Sequence, residues 1–97
     1  MNEYIDLKFN PRGEYGIKEG LKTATTRRTK HGEAGDYFMV GKHVHRLEEI
    51  KAMKLKDIAA MYYFREGYKK PAHFLMAIDR IYGKTSRDTI MYVHLFN

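Results

Sequence analysis

The apolar positions along this chain come in short stretches, and their period changes from one stretch to the next. Glu3 to Phe9 alternates, with Ile5, Leu7 and Phe9 apolar against Tyr4, Asp6 and Lys8, which predicts a half-buried first strand. Asn10-Pro11 then reads as a helix start, with asparagine as the cap and proline at the first helical position. That helix takes Tyr15, Ile17 and Leu21 as its apolar contacts. It is weakened by Gly13 and Gly16 and stopped by Gly20. Thr23-Ala24-Thr25-Thr26 is rich in β-branched residues and predicts a strand. Tyr37-Phe38-Met39-Val40 is a second strand, and Gly41-Lys42 suits a two-residue type II′ turn, so the chain returns as a strand from His43.

His43 to Phe64 carries two patterns at once. Propensity alone makes it one helix of about twenty residues. The turn at Gly41, together with the family resemblance given below, instead favours a hairpin strand through about Met53 followed by a helix from Leu55, and that division is adopted. Leu55, Ile58, Ala59 and Tyr62 line one face of this helix, Met61 and Phe64 widen it, and Gly67 closes it. Lys69-Lys70-Pro71 opens another helix with Phe74, Leu75, Ile78, Ile81 and Tyr82 as its buried stripe and Gly83 as its end. Thr89 to Phe96 is a strand apolar on both faces, which predicts a central or doubly covered position. Strands and helices mix without βαβ regularity, so the class is α+β: a small barrel with helices in its connections.

The 97 residues fit a single domain spanning 1–97. With 43% hydrophobic and 13% aromatic residues the chain can build a core. No apolar run approaches the ~20 residues that cross a bilayer, and no leader pattern opens the chain, so a cytoplasmic location without membrane contact is expected. The absence of cysteine excludes disulfides and thiolate metal sites. A formal net charge of +6 points to an anionic partner, nucleic acid first, against the plainer alternative of a generally basic surface.

The candidate chemistry centres on Gly20-Leu21-Lys22-Thr23-Ala24-Thr25-Thr26-Arg27-Arg28. Between Lys22 and His31 there is no acidic residue, while Lys22, Arg27, Arg28 and Lys30 are all present. On a regular strand Thr23, Thr25 and Arg27 share one face and Ala24, Thr26 and Arg28 the other. Lys22 and Thr25 therefore serve one site only if Lys22 precedes the regular strand or a bulge re-aims it. A lysine partly withdrawn from water can take a proton from a neighbouring hydroxyl, and Thr25 is the hydroxyl in reach; a solvated lysine and an ordinary strand threonine are the alternatives. Glu66, expected at a helix end, meets the negative end of the macrodipole, a field that favours the protonated carboxyl; a plain surface glutamate tolerated by salt screening is the alternative. Helical spacing assigns Tyr62, Tyr63, Phe64 and Tyr68 mostly to the core; Tyr68 is the one among them suited to stack on a base at a pocket mouth. His43 and His45 share a strand face but lack a third ligand, so neither a metal nor a cofactor is expected.

Gly20-Leu21-Lys22-Thr23-Ala24-Thr25 resembles the Gly-x-Lys-x-x-Thr signature of the ASCH domain family. Gly35-Asp36, Arg65-Glu66-Gly67-Tyr68 and Val93-His94-Leu95-Phe96 fall in the order that family shows. The resemblance implies a PUA-like β-barrel of about five to six strands with two or three short helices. It implies either a polar, basic pocket for RNA or a modified nucleoside, or the chemistry of the N4-acetylcytidine amidohydrolases that the chain also resembles. In the latter case Lys22 would be the base, Thr25 the nucleophile and Glu66 the acid. Thr23, Arg27, Arg28, Lys30 and Tyr68 would contact substrate or nucleic acid. A non-catalytic interaction module keeping only the fold is the third possibility.

Overall fold

Asn10 behaves as its residue type predicts. Its side chain accepts from the Gly13 amide at 2.8 Å, and Pro11 opens helix α1 (Pro11–Lys18) in the computed structural model, which describes residues 2–97. Strand β1 (Ala24–Arg27), strand β2 (Tyr37–Val40) and strand β3 (His43–Lys54) follow, then helix α2 (Leu55–Tyr62), helix α3 (Pro71–Tyr82) and strand β4 (Ile90–Phe96). The strands form one curled antiparallel sheet in the order β1-β4-β3-β2. β4 is thus an inner strand, as its two apolar faces predict.

The division of 43–64 into strand and helix holds, and the turn is its cause. Gly41 has φ 60 while Lys42 stays at negative φ, the combination of a type II′ turn, and β3 runs on to Lys54. β3 pairs along most of its length with β4 and carries a register shift between Leu47 and Glu49, a bulge that bends the strand.

The sheet separates two clusters of buried side chains. One face meets α2 and α3, where Leu55, Ile58, Ala59, Phe74 and Ile78 pack on Ala24, Met91, Val93 and Leu95. The other face meets α1 and the N-terminal segment, where Leu7 and Ile17 pack with Phe38, Val40, Leu47 and Phe96.

Several expectations are corrected. The described residues hold four strands and three helices, fewer strands than five or six. The alternation from Glu3 to Phe9 survives as burial, with Leu7 buried and Ile5 and Phe9 half-buried, but not as a strand. Only Tyr4 bridges Tyr37, in parallel. The chain then turns off the short β2 edge so that Phe9 packs on Phe38 and Phe96. Met61 and Phe64 are exposed, because α2 buries the single stripe 55, 58, 59, 62 and both fall off it. Tyr15, Leu21 and Ile81 are exposed for another reason: all three line a cavity.

Candidate functional site

That cavity, of about 450 Å³, lies along the outer edge of β1 between α1 and α3. Its polar wall starts with Lys22, which precedes β1 as the strand geometry requires. The Leu21 and Lys22 amides both donate to the Gly16 carbonyl, at 2.8 and 3.0 Å. A side chain at position 16 would stand 3.2 Å from the Lys22 Cβ, so the glycine that weakens α1 also lets the lysine segment pack against it.

Glu66 arrives from the opposite side. Beyond α2 the chain makes a further turn closed by Gly67 at φ 93, with the Gly67 amide donating to Phe64 O and the Tyr68 amide to Tyr63 O, each at 3.0 Å. These are the bonds of a Schellman motif, and they put Glu66 at the cap position beside the cavity. Arg65 anchors the same turn: its guanidinium donates to Thr23 Oγ1, Thr23 O, Phe96 O and Glu48 Oε1.

Lys22 Nζ donates to Glu66 Oε1 at 3.0 Å, and Thr26 Oγ1 donates to Glu66 Oε2 at 2.6 Å. Both carboxylate oxygens are accepting, and the side chains of Lys22 and Glu66 are only 14% and 4% exposed. An amine, a carboxylate and a hydroxyl are in contact at a place largely closed to solvent. The hydroxyl is Thr26, which sequence reasoning left out. Thr25 also lines the cavity, but its hydroxyl accepts from Arg27 Nε at 3.2 Å, and its carbonyl accepts from the buried His94 Nδ1.

Of the residues singled out in the sequence, Lys22, Thr25, Arg27, Glu66 and Tyr68 line this one cavity. Thr23, Arg28 and Lys30 lie outside its lining. Thr23 is bound to Arg65, Arg28 stacks on Tyr82 and donates to its carbonyl, and Lys30 pairs with Glu33. Phe9, Arg12 and Tyr82 belong to the lining and were missed.

Burial acts on the site's charges. It pulls the Arg27 guanidinium below its usual range, because an ion withdrawn from water is disfavoured. It pushes the Tyr68 phenol up for the same reason, against the nearby Arg12. Just outside the cavity, burial lowers His94 to about 4. Among the described residues no group of three or more His, Asp or Glu is arranged to hold a metal; His45 instead bonds Asn97 O at 2.6 Å.

No family model matches the sequence, and no curated protein matches it. Solved structures do match the fold. An ASCH domain from Lactobacillus crispatus JV V101 superposes with TM-score 0.74 at 12% identity, over 99% of this chain and 79% of that one. The hypothetical protein PH0355 gives TM-score 0.71 at 16% identity, over 100% of this chain and 98% of its own. Protein EF3133 from Enterococcus faecalis V583, described under the family model DUF984, gives 0.63 at 16%, over 99% and 78%. The chain therefore has the ASCH, PUA-like fold that its motif order resembles.

Proposed function

We propose that the β1 cavity binds a nucleoside-type ligand, free or within RNA, on a polar floor of Lys22, Thr26 and Glu66. The supporting observation is the lining itself. A volume of about 450 Å³ falls within the ~300–1,000 Å³ range of small-molecule sites. It combines aromatic and aliphatic walls, from Phe9, Tyr68, Phe74, Ile81 and Tyr82, with a compact set of charged and hydroxyl groups. A planar base has ring faces for Tyr68 and edge donors and acceptors for Glu66 and the threonines. Calorimetric titration with cytidine and N4-acetylcytidine tests this. Binding is expected, weakened by Tyr68→Leu and abolished by Glu66→Gln. Absence of heat from every nucleoside, together with unmoved amide resonances along the cavity, would overturn it.

A second reading, hydrolysis of an N-acyl amide, draws on the contact of amine, carboxylate and hydroxyl. In that reaction a hydroxyl adds to the acyl carbon, the amide nitrogen takes a proton and leaves as the amine, and water releases the acyl group as an acid. The resemblance casts Thr25 as nucleophile with Lys22 as base and Glu66 as acid. The hydroxyl bonded to the carboxylate is Thr26, so each threonine is tested separately. Under this reading N4-acetylcytidine yields cytidine, and Lys22→Ala stops the release. A wild type that leaves the acetyl group intact would remove this reading while leaving the binding proposal standing.

A further inference from the structure

Arg27 is a half-buried cation with no ion pair within 4.0 Å among the described residues, the Glu66 charge acting on it only from farther away. Its Nη2 donates to the Lys8 carbonyl at 2.6 Å and its Nε to Thr25 Oγ1 at 3.2 Å, while the guanidinium lies 5.0 Å from the Phe9 ring centroid. These contacts fix the plane of the group and leave Nη1 with no hydrogen bond among the described residues. No ion pair within 4.0 Å is formed by Arg27 or by Arg12 among those residues. The lining holds Lys8, Arg12, Lys22 and Arg27 against a single carboxylate, Glu66, and both oxygens of Glu66 are already engaged by Lys22 and Thr26. Arg12 stands over the Tyr68 ring at 5.7 Å, so the second unpaired guanidinium is also seated on an aromatic face of the same cavity. A charge taken from water is costly unless it is paired, and a guanidinium held in one plane with Nη1 free offers an oxyanion a pre-oriented, charge-assisted donor.

We infer that Arg27, assisted by Arg12, is an anion subsite that takes the phosphate ester of a nucleotide whose nucleoside part occupies the cavity. The inference rests on the nucleoside proposal above for its second half only; the excess of unpaired guanidinium stands without it. The shared chemistry is a phosphate ester, whether on a free mononucleotide or at one position of an RNA strand.

The test compares cytidine, cytidine 5′-monophosphate, a short oligoribonucleotide and inorganic phosphate by calorimetry at low salt, on wild type, Arg27→Gln and Arg12→Gln. The monophosphate is expected to bind roughly 10- to 100-fold tighter than cytidine, the worth of charge-assisted hydrogen bonds. That gap closes in Arg27→Gln and narrows in Arg12→Gln, each read as the ratio of monophosphate to cytidine affinity within the same variant. Equal wild-type affinity for cytidine and its monophosphate overturns the subsite and leaves the nucleoside proposal intact. Phosphate alone shifting the Arg27 Nε resonance, with no nucleoside bound, supports the subsite and overturns the nucleoside proposal. Arg27 also ties down Lys8 and Thr25; if Arg27→Gln does not fold, an unmoved gap in Arg12→Gln with an unmoved Arg27 resonance overturns the inference. An oligoribonucleotide no tighter than the monophosphate assigns the phosphate to a free nucleotide, and a tighter one whose affinity falls more steeply with salt assigns it to RNA.

Discussion

At the scale of single residues the consequential contact is the one Thr26 makes. Thr26 and Glu66 are each 5% exposed, and the hydroxyl that bonds the carboxylate has no competing water shell. Replacing it with valine keeps the shape but leaves Glu66 Oε2 short of a donor, at a cost of about 1.5–3 kcal/mol for a bond to a charged group. Urea unfolding is therefore expected to show Thr26→Val well below Thr25→Val, since Thr25 only accepts a 3.2 Å bond from an arginine that water still reaches. Equal losses would mean that the carboxylate does not depend on Thr26. Much of this site was legible: Lys22 and Glu66 were both named from sequence, and they do meet across 44 positions. Thr26 was legible too, and was passed over. The strand alternation that turns Lys22 away from Thr25 puts Lys22, Ala24 and Thr26 on one parity, and a threonine on the face of a buried alanine requires a hydrogen-bond partner. Phe9 and Arg12 were not legible, because their place beside β1 depends on how α1 docks and on no local pattern.

At the scale of elements, glycines decide where the chain turns, and one of them also shapes the site. Gly67 has φ 93, and an added Cβ would stand 3.4 Å from Leu21 O and 3.8 Å from the Lys22 Cβ. The turn it closes sets Glu66 and Tyr68 on either side of it. Gly67→Ala is expected to cost about 1–2 kcal/mol from left-handed strain alone and to disturb the Lys22 segment. Gly20, at φ 74 with open space around it, carries only the backbone strain, so Gly20→Ala serves as the comparison. Thermal unfolding of the two variants, with amide shifts at Lys22 and Tyr68, checks this; identical spectra at those residues would show that the turn does not hold the site. These stops were visible in the sequence, as was the type II′ turn that split 43–64 correctly against helix propensity. The misread element is 3–9, whose alternation reports burial against Phe38 and Phe96. Pairing needs a free partner edge of matching length, and β2 offers only Tyr37–Val40.

At the scale of the whole molecule, β4 is the wall shared by both cores, and its one polar residue within the buried run is His94. That ring is fully buried, with Nδ1 facing the carbonyls of Thr25 and Tyr92 and Nε2 accepting from the His31 amide at 2.9 Å. The neutral tautomer with its proton on Nδ1 satisfies every partner, and a second proton on Nε2 would confront the His31 amide. Desolvation, outweighing the two carbonyl contacts, sets the folded-state pKa at about 4 against 6.5 for an ordinary histidine. The native state thus binds this proton less readily than the unfolded chain does. The stability it contributes is whole above pH 6.5 and is lost as pH falls from there through 4, amounting to about 3 kcal/mol. Against the roughly 5–15 kcal/mol that holds a typical domain, a loss of that size loosens both clusters together, because the strand carrying His94 borders each. Urea unfolding at pH 7.5, 6.0 and 5.0 should therefore show wild type weakening steadily. His94→Gln, which retains an acceptor for the His31 amide, should start lower and fall less steeply. The imidazole nitrogens of His94 should titrate near pH 4 by NMR; a midpoint near 6.5, or parallel slopes for wild type and variant, would show that the buried ring does not govern acid stability.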